Sequence, residues 1–325
     1  MKILFIDSAH SSLKQELEKH GFICDEDFIS SKAEIEKKIL SYNGVVIRSR
    51  ITIDRLFIDK LSLSLGGGKK SGVVFIARVG AGMEHIDVAY AESLGVKCIA
   101  SPEGNKNAVA EHALGMLLSL LNSICKANNE VKAEEWKREE NRGTELEGKT
   151  IGIYGYGNTG SAFAKVLSGF DVKILAYDKY KNKFENEFVK ESSPEEIFSQ
   201  ADILSLHLPL TSETNYLVND AFVNKFKKNI YLLNTSRGPI VKTDDLVKNL
   251  KSKKILGACL DVLECEEISF EAVSPSLRGQ GEGVFDYLKS SNKVILTSHI
   301  AGWSFESSEK MARILAEKII ALTSK

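Results

Sequence analysis

Three glycines at G-x-G-x-x-G spacing indicate a specific chemistry in this 325-residue chain. Gly155, Gly157 and Gly160 follow a short apolar run, and a helical pattern with one apolar face follows them. In this arrangement the first glycine permits a tight turn, the second lets the backbone approach a pyrophosphate, and the third lets helix and strand pack closely. The N–H groups at the start of the helix then favour an anion. The pattern predicts a dinucleotide-binding turn.

The residues after that helix support the same interpretation. A second strand is predicted at 172–177, and it ends on Asp178, eighteen residues beyond Gly160. A carboxylate at this place accepts hydrogen bonds from ribose hydroxyls and repels a 2′-phosphate, so NAD is favoured over NADP. The glycines at 66–68 and at 279, 281 and 283 lack a preceding strand and a following helix, and we interpret both clusters as loops.

Composition limits the classes of function. Hydrophobic residues make up 43% and charged residues 27% of the chain, which is typical of a globular protein with two domains of ordinary size. A net charge of −1 argues against a nucleic-acid or anionic membrane partner. No apolar run reaches the roughly twenty residues of a membrane span, and residues 1–7 are interpreted as a first strand rather than a signal peptide. Five cysteines without a C-x-x-C pair predict free thiols in the cytoplasm and argue against a zinc site.

Alternating strands and helices must position these residues, and their rhythm predicts an α/β fold with parallel sheets. In the first part, strands are predicted at 2–7, 44–48, 73–78 and 97–100, and helices at 12–20, 33–40, 52–61 and 88–94. In the second part, strands are predicted at 150–154, 172–177, 203–207, 230–234, 256–262 and 294–297, and helices at 194–198, 220–226, 244–251 and 305–324.

Residues 107–126 are apolar along their whole length, which predicts a helix buried nearly all round at a domain or subunit junction. The charged segment 127–149, which contains Trp136, is predicted to be an exposed helix and loop.

Six short motifs in order resemble the D-isomer-specific 2-hydroxyacid dehydrogenase family over essentially the whole chain. They are RVGAG at 78–82, GYGNTG at 155–160, HLPLT at 207–211, NTSRG at 234–238, DVLECE at 261–266 and TSHIAG at 297–302. Within the family the nearest resemblance is to the D-3-phosphoglycerate dehydrogenases, without a C-terminal regulatory domain.

The resemblance implies two doubly wound parallel-sheet domains with the active site in the cleft between them. A Rossmann NAD-binding domain, residues 105–302, is expected to be inserted into a flavodoxin-like substrate domain formed by residues 1–104 and 303–325. A homodimer is also implied, and the apolar helix at 107–126 would suit its interface.

Three catalytic roles follow from the resemblance. His299 is expected to be the acid/base, a task that suits imidazole because it exchanges protons near neutral pH. Arg237 is expected to grip the substrate carboxylate and polarise the carbonyl oxygen with its fork of donors. Glu266 is expected to orient His299, with the neighbouring acids Glu264 and Glu267 as alternatives. The segment 268–287 is longer than the family leads us to expect.

The remaining site residues are also expectations from the resemblance. The cofactor contacts are expected from Tyr156, Gly157, Asn158, Thr159, Asp178, His207, Pro209, Thr235, Ser236, Arg237, Asp261, His299 and Gly302, with His207 and Pro209 on the adenine side and Asp261 reaching the nicotinamide carboxamide. The substrate contacts are expected from Arg48, Ser49, Arg50, Arg237, His299 and the backbone N–H groups of Val79 and Gly80. His112 is interpreted as a buried structural histidine, and Trp303 either caps the substrate pocket or packs.

The expected reaction is hydride transfer between substrate C2 and NAD. Because Arg48 and Arg50 flank a serine at a strand end, a phosphorylated acid such as 3-phosphoglycerate or 3-phosphohydroxypyruvate is favoured. The alternatives are glyoxylate, hydroxypyruvate, D-lactate or erythronate-4-phosphate as the substrate. A non-catalytic NAD-binding module that resembles a corepressor is the alternative from another class of function.

Overall fold

The computed structural model describes residues 1–62, 73–266 and 283–323. The chain divides into two compact units: a first unit of Met1–Asn105 and Trp303–Lys325, and a second unit of Lys106–Gly302.

The first unit is built on a five-stranded parallel sheet in the order β2-β1-β3-β4-β5, the order of flavodoxin-like folds. Its strands are β1 (Lys2–Phe5), β2 (Ile23–Glu26), β3 (Gly44–Ile47), β4 (Phe75–Arg78) and β5 (Lys97–Ala100). Its helices are α1 (Ser11–Lys19), α2 (Lys32–Lys38), α3 (Arg55–Ser62), α4 (Val88–Ser93) and α12 (Phe305–Thr323). Strands β3 and β4 are buried along their whole length, as expected for central strands covered on both faces.

The C-terminal helix α12 completes the core of the first unit. Ala312, Leu315 and Ile319 on this helix pack in one buried cluster with Leu13 of α1 and Phe5 of β1. The helix therefore belongs to the first unit although it comes last in the chain.

The second unit is built on a seven-stranded parallel sheet in the order β12-β11-β10-β9-β6-β7-β8. Its strands are β6 (Thr150–Tyr154), β7 (Lys173–Tyr177), β8 (Val189–Glu191), β9 (Ile203–Leu206), β10 (Ile230–Asn234), β11 (Ile255–Leu260) and β12 (Val294–Leu296). Its helices include α6 (Ile124–Lys132), α7 (Asn158–Leu167), α8 (Pro194–Gln200), α9 (Asp220–Val223), α10 (Thr243–Lys251) and α11 (Val284–Ser290). The strand order reverses between β6 and β9, and ligands bind at the carboxyl ends of the strands beside such a reversal. The predicted fold class, a Rossmann domain inserted into a flavodoxin-like one, is confirmed.

The apolar helix differs from its prediction. Helix α5 (Pro102–Leu121) starts and ends five residues earlier than predicted, and α6 follows it at a bend of 61°. In the single chain it is buried on one side only, because Asn107, Glu111 and Gly115 form an exposed stripe at i, i+4 spacing. Among the described residues no single helix has the length and hydropathy of a membrane span, although α5 and α6 reach them as a bent pair.

Three short elements were not predicted from the sequence. Strands β2 and β8 are edge strands of four and three residues that carry charges, so they lack an apolar run. Helix α11 follows Gly283 directly, so the interpretation that no helix follows this glycine was wrong. The other glycines interpreted as loops, at 66–68, 279 and 281, lie outside the described residues, as does the segment 268–282.

Candidate active site

The glycine turn after β6 has the geometry that its spacing predicts. Gly155 has a φ of +98°, and a Cβ there would lie 2.3 Å from the carbonyl oxygen of His207. A Cβ on Gly160 would lie 2.1 Å from the carbonyl oxygen of Gly155. By contrast, a Cβ on Gly157 would meet nothing within 4 Å. Gly155 and Gly160 are thus required by the protein's own packing, whereas Gly157 leaves open space at the turn.

Helix α7 begins at this open space. Its N-cap is Gly157, which has no side chain to bond the first N–H groups, and the first residue, Asn158, is exposed. Ser161 N–H donates to Gly157 O at 3.1 Å, so the N–H groups of the three residues between them have no partner within the helix. Such a helix start offers donors and a partial positive charge to a phosphate.

Asp178, at the end of β7, organises the turn next to it. One carboxylate oxygen accepts a hydrogen bond from Tyr156 N–H at 2.8 Å, and the other accepts from Tyr180 N–H at 2.9 Å and Lys181 N–H at 3.0 Å. A carboxylate has about four lone-pair positions, so capacity for a ribose hydroxyl remains. This structural role of Asp178 was not predicted from the sequence.

His207 lies beneath the turn. Its ring nitrogens are 2.9 Å from Ser205 Oγ and 3.2 Å from Thr159 Oγ1, and the side chain is buried. Burial lowers the pKa of His207 to about 3, so the ring is neutral at physiological pH. The expected contact of His207 with adenine stays a prediction, as does that of Pro209, whose carbonyl oxygen accepts a hydrogen bond from Thr214 Oγ1 at 2.7 Å.

The segment after β10 holds Arg237 by its backbone. Asn234 Nδ2 donates to Arg237 O at 3.0 Å, and Ser236 N–H donates to Asn234 Oδ1 at 3.1 Å. A Cβ on the next residue, Gly238, would lie 1.9 Å from Leu263 O, so this segment packs directly on the backbone after β11. Arg237 itself donates from Nη1 to Ser236 O at 2.6 Å.

Thr235 supplies an unsatisfied polar atom in the same segment. Its Oγ1 is buried and has no hydrogen-bond partner among the described residues. Buried polar atoms of this kind normally have a partner. Together with the open space at Gly157, this orphaned hydroxyl fits a dinucleotide at the carboxyl ends of β6 and β10.

His299 is held in an unusual backbone conformation beside an acid. Its φ is +57°, a left-handed value that costs a non-glycine residue free energy, and its N–H donates to Asp261 O at 2.8 Å. Its Nδ1 lies 2.7 Å from Glu266 Oε2, while the other carboxylate oxygen of Glu266 accepts from Leu263 N–H. The ring is therefore oriented by Glu266 at one nitrogen.

The neighbouring acids differ from Glu266 in their contacts. Glu264 accepts hydrogen bonds from Thr243 N–H, at the start of α10, at 2.9 Å and from the hydroxyl of Tyr216. Glu267 lies outside the described residues. Glu264 is thus engaged elsewhere, and among the acids that the structure describes here Glu266 contacts His299.

Asp261 supports the loop that carries His299. Its carboxylate accepts hydrogen bonds from the Thr297 hydroxyl, from Ile300 N–H at 2.9 Å and from Ala301 N–H at 2.8 Å, and the residue is 1% exposed. His112 Nε2 lies 3.0 Å from Thr297 Oγ1 and 3.6 Å from Asp261 Oδ1. The contact of Asp261 with a carboxamide stays a prediction. The second unit ends at Gly302, one residue after Ala301, and this glycine is half-buried.

In the first unit, three backbone N–H groups converge on one carboxylate oxygen. Asp7 Oδ2 accepts hydrogen bonds from Arg48 N–H at 2.6 Å, Ser49 N–H at 3.0 Å and Arg50 N–H at 3.2 Å. Asp7 lies two residues beyond the end of β1, and an acid just after a strand is the sequence signal that could have identified it. The Asp7 carboxylate therefore holds the backbone of the expected substrate-binding segment in place.

The two arginines of this segment have different partners. Arg50 donates from its guanidinium to three backbone carbonyl oxygens, at distances of 2.7 to 3.0 Å; they belong to Ile6, Asp27 and Ser30. The Arg48 guanidinium lies over the ring of Trp303, 4.1 Å from its centroid. Arg50 thus braces the backbone, whereas Arg48 stacks on an aromatic ring.

Val79 and Gly80 follow β4. Val79 N–H donates to Ile47 O at 2.8 Å, because the pairing of β3 and β4 continues one residue further. The expectation that this N–H anchors substrate stays a prediction. Gly80 has a φ of +146°, and a Cβ there would lie 2.5 Å from Arg78 Nη1. The positive φ favours glycine, whereas the Arg78 guanidinium stands at the end of a flexible side chain.

Known proteins share this organisation. Residues 114–301 match the family described as D-isomer specific 2-hydroxyacid dehydrogenase, NAD binding domain. A glyoxylate reductase of Thermofilum pendens is 36% identical over 284 residues, which cover 85% of this chain and 79% of that protein. A D-3-phosphoglycerate dehydrogenase of Synechocystis is 33% identical over 299 residues, which cover 89% of this chain and 48% of that protein.

Solved structures agree with these sequence relatives. D-lactate dehydrogenase from Lactobacillus jensenii, solved with NAD+, aligns with 100% of this chain and 97% of its own at a TM-score of 0.78 and 25% identity. The family match extends over more than half of the chain, and relatives with different named substrates align with most of it. The glycine turn, the orphaned threonine hydroxyl and the oriented histidine thus lie in a chain that belongs to the NAD-dependent D-isomer-specific 2-hydroxyacid dehydrogenases.

Proposed function

We propose that this protein interconverts a phosphorylated D-2-hydroxy acid and its 2-oxo acid, with 3-phosphoglycerate and 3-phosphohydroxypyruvate as the pair, and that His299 is the acid/base. The observation that carries the catalytic part is the 2.7 Å contact between His299 Nδ1 and Glu266 Oε2, with His299 fixed at a φ of +57°. A strained residue held by a carboxylate and by the backbone of a second acid is typical of a functional position.

The roles follow from the chemistry of each group. Bound NAD supplies the hydride acceptor for oxidation of C2. His299 takes the hydroxyl proton at Nε2 and returns it in the reverse direction, while Glu266 holds the ring through Nδ1. Arg237 grips the carboxylate of the substrate with its planar fork of donors.

Cofactor binding is assigned to the second unit and substrate anchoring to the first. We assign the pyrophosphate to the start of α7 at Gly157, Asn158 and Thr159, the adenosine ribose to Asp178, and the nicotinamide side to Thr235. The free cysteines fit a cytoplasmic location. The exposed side of α5 is proposed as part of a homodimer interface, since Asn107, Glu111 and Gly115 lie uncovered on this side of the helix in the single chain.

The preference for a phosphorylated acid depends on Arg48. Its guanidinium stacks on Trp303, whereas that of Arg50 is engaged by three carbonyl oxygens. Arginine binds phosphate well because its donors match the phosphate oxygens. The relative named D-3-phosphoglycerate dehydrogenase supports this substrate, and the one named glyoxylate reductase supports the alternative of a small unphosphorylated acid.

Oxidation of NADH, followed by absorbance, tests the proposal with 3-phosphohydroxypyruvate, hydroxypyruvate, glyoxylate and pyruvate as substrates. Selective turnover of the phosphorylated acid is the expected result. Comparable kcat/KM values for the small acids would contradict the phosphorylated substrate and leave a general 2-oxo acid reductase. Absence of turnover on all four acids, with NAD bound, would contradict the catalytic proposal itself.

One comparison should distinguish the role of Arg48 in substrate binding from the role of Arg50 in stability. We expect Arg48→Ala to raise the KM for 3-phosphohydroxypyruvate about 10- to 100-fold, because a hydrogen bond to a charged group contributes roughly 1.5–3 kcal/mol. The KM for glyoxylate should change less than about twofold. Arg50→Ala should instead lower the thermal midpoint, because three carbonyl oxygens lose their donor.

The matched control is Arg55→Ala, which removes an exposed arginine paired with Asp87 in the same unit. It should leave both KM values unchanged. Equal losses on the phosphorylated and unphosphorylated substrates in Arg48→Ala would show that Arg48 does not recognise phosphate.

A further inference from the structure

A buried row of three side chains lies behind the glycine turn. Ser205 Oγ is 2.9 Å from His207 Nε2, and His207 Nδ1 is 3.2 Å from Thr159 Oγ1. Ser205 is 1% exposed and His207 is 8% exposed, whereas Thr159 is half-buried at the start of α7. The row therefore runs from the interior of the sheet to the place where a pyrophosphate is expected.

The direction of the two hydrogen bonds can be worked out from the donors available. Burial keeps the imidazole neutral, so one ring nitrogen donates and the other accepts. Within the described residues, the hydroxyl of Ser205 has no side-chain partner except His207. If Nε2 carried the proton, the Ser205 hydroxyl proton would be buried without an acceptor, which costs free energy. Ser205 therefore donates to Nε2, and the proton of His207 is on Nδ1.

This tautomer determines what Thr159 can do. With the proton on Nδ1, His207 donates to Thr159 Oγ1, and the hydroxyl proton of Thr159 is left to point away from the ring. A phosphate oxygen accepts hydrogen bonds and donates none at neutral pH. The opposite tautomer would use the Thr159 proton internally and present only oxygen lone pairs to the anion.

We propose that Ser205 and His207 are positioning residues that turn the hydroxyl proton of Thr159 toward the pyrophosphate of bound NAD. The inference rests on the NAD binding of the proposed function and deepens it. The backbone of His207 has a second part in the same arrangement, because its carbonyl oxygen lies against Gly155 and leaves no room for a side chain there. One residue thus supports the turn through its backbone and orients a ligand of the cofactor through its ring.

The first readout is the tautomer itself. ¹⁵N NMR of protein labelled at its six histidines, with the His207 signals assigned from the His207→Asn variant, distinguishes protonated from unprotonated ring nitrogens. We expect a protonated Nδ1 and an unprotonated Nε2, both free and with NAD. The opposite tautomer in the NAD complex would overturn the inference, and Ser205→Ala should weaken the preference for the expected one.

The second readout is affinity, measured by titration with NADH and by competition with ADP-ribose and adenosine. Thr159→Val should weaken binding of NADH and ADP-ribose about tenfold, because a hydrogen bond to a charged oxygen is lost, and Thr159→Ser should restore it. Adenosine, which has no phosphate, should bind all variants equally. An equal loss for adenosine would indicate a merely structural effect and contradict the inference.

The link between the residues is tested by a double-mutant cycle. Ser205→Ala should weaken NADH binding about threefold in the wild-type background and have no further effect in Thr159→Val, because it acts through Thr159. The control is Ser199→Ala, which removes a half-buried hydroxyl whose hydrogen bond, to Glu196 O, lies within its own helix. It should leave NADH affinity unchanged. Additive losses would overturn the inference. Failure of the wild-type protein to bind NADH would instead contradict the proposed function.

Discussion

Replacement of His299 by asparagine should lower kcat by about 100- to 10,000-fold, the usual contribution of a positioned acid/base. Asparagine is the suitable substitution because it tolerates a left-handed backbone, so the φ of +57° and the bond from its N–H to Asp261 O are retained. The amide cannot exchange a proton near neutral pH. Binding of NADH, measured by titration, should stay within about threefold of the wild-type value, since less than about 0.7 kcal/mol is at stake.

The control for this prediction is another histidine of the chain. His20 is exposed at the end of α1, where a ring nitrogen lies 2.9 Å from Glu16 O. His20→Asn should leave kcat unchanged. Turnover within a few fold of wild type in His299→Asn would show that another group moves the proton, whereas joint loss of turnover and NADH binding would place His299 in cofactor binding.

Local pattern predicted most of the fold because the long elements are buried. The strands that form the centre of the second sheet are mostly apolar and almost entirely buried, and the predicted strand at 230–234 has the bounds of β10. Edge strands such as β8, with the sequence Val-Lys-Glu, have only one neighbour and a solvated side, so they carry no such signal. The exposed stripe of α5 was not predicted because its residues lie between apolar residues in the sequence, so the segment as a whole indicated burial.

The site was predictable as a set of residues and not as a set of contacts. The family motifs pointed to Glu266 and His299, which lie 33 positions apart and are in contact. What the sequence could not provide is the use of each polar atom. Asp261 is occupied by the loop that carries His299, and Arg50 by carbonyl oxygens from residues at least 20 positions away. Hydrogen bonds between distant segments depend on the folded backbone, and no local pattern encodes them.

Substitution by alanine should distinguish the roles of Gly157 and Gly160 in the turn. At Gly157 a Cβ meets nothing within 4 Å, so Gly157→Ala should fold with less than about 1 kcal/mol of destabilisation, the size of a capping effect. The added methyl group would then stand where the pyrophosphate approaches. Contact between this methyl group and the pyrophosphate should cost about 1–3 kcal/mol, as in an overpacked site, so NADH binding should weaken about 5- to 150-fold.

Gly160→Ala should show the opposite pattern. Its Cβ would lie 2.1 Å from the carbonyl oxygen of Gly155, so the backbone must shift, and the free energy of unfolding should fall by roughly 1–3 kcal/mol even without cofactor. Gly169→Ala, in open space after α7, is the control and should change neither thermal midpoint nor NADH affinity. Wild-type affinity in Gly157→Ala would mean that the cofactor does not approach the backbone there. A weakened affinity at unchanged stability would place the pyrophosphate at Gly157, because a change in packing alone would have lowered the thermal midpoint as well.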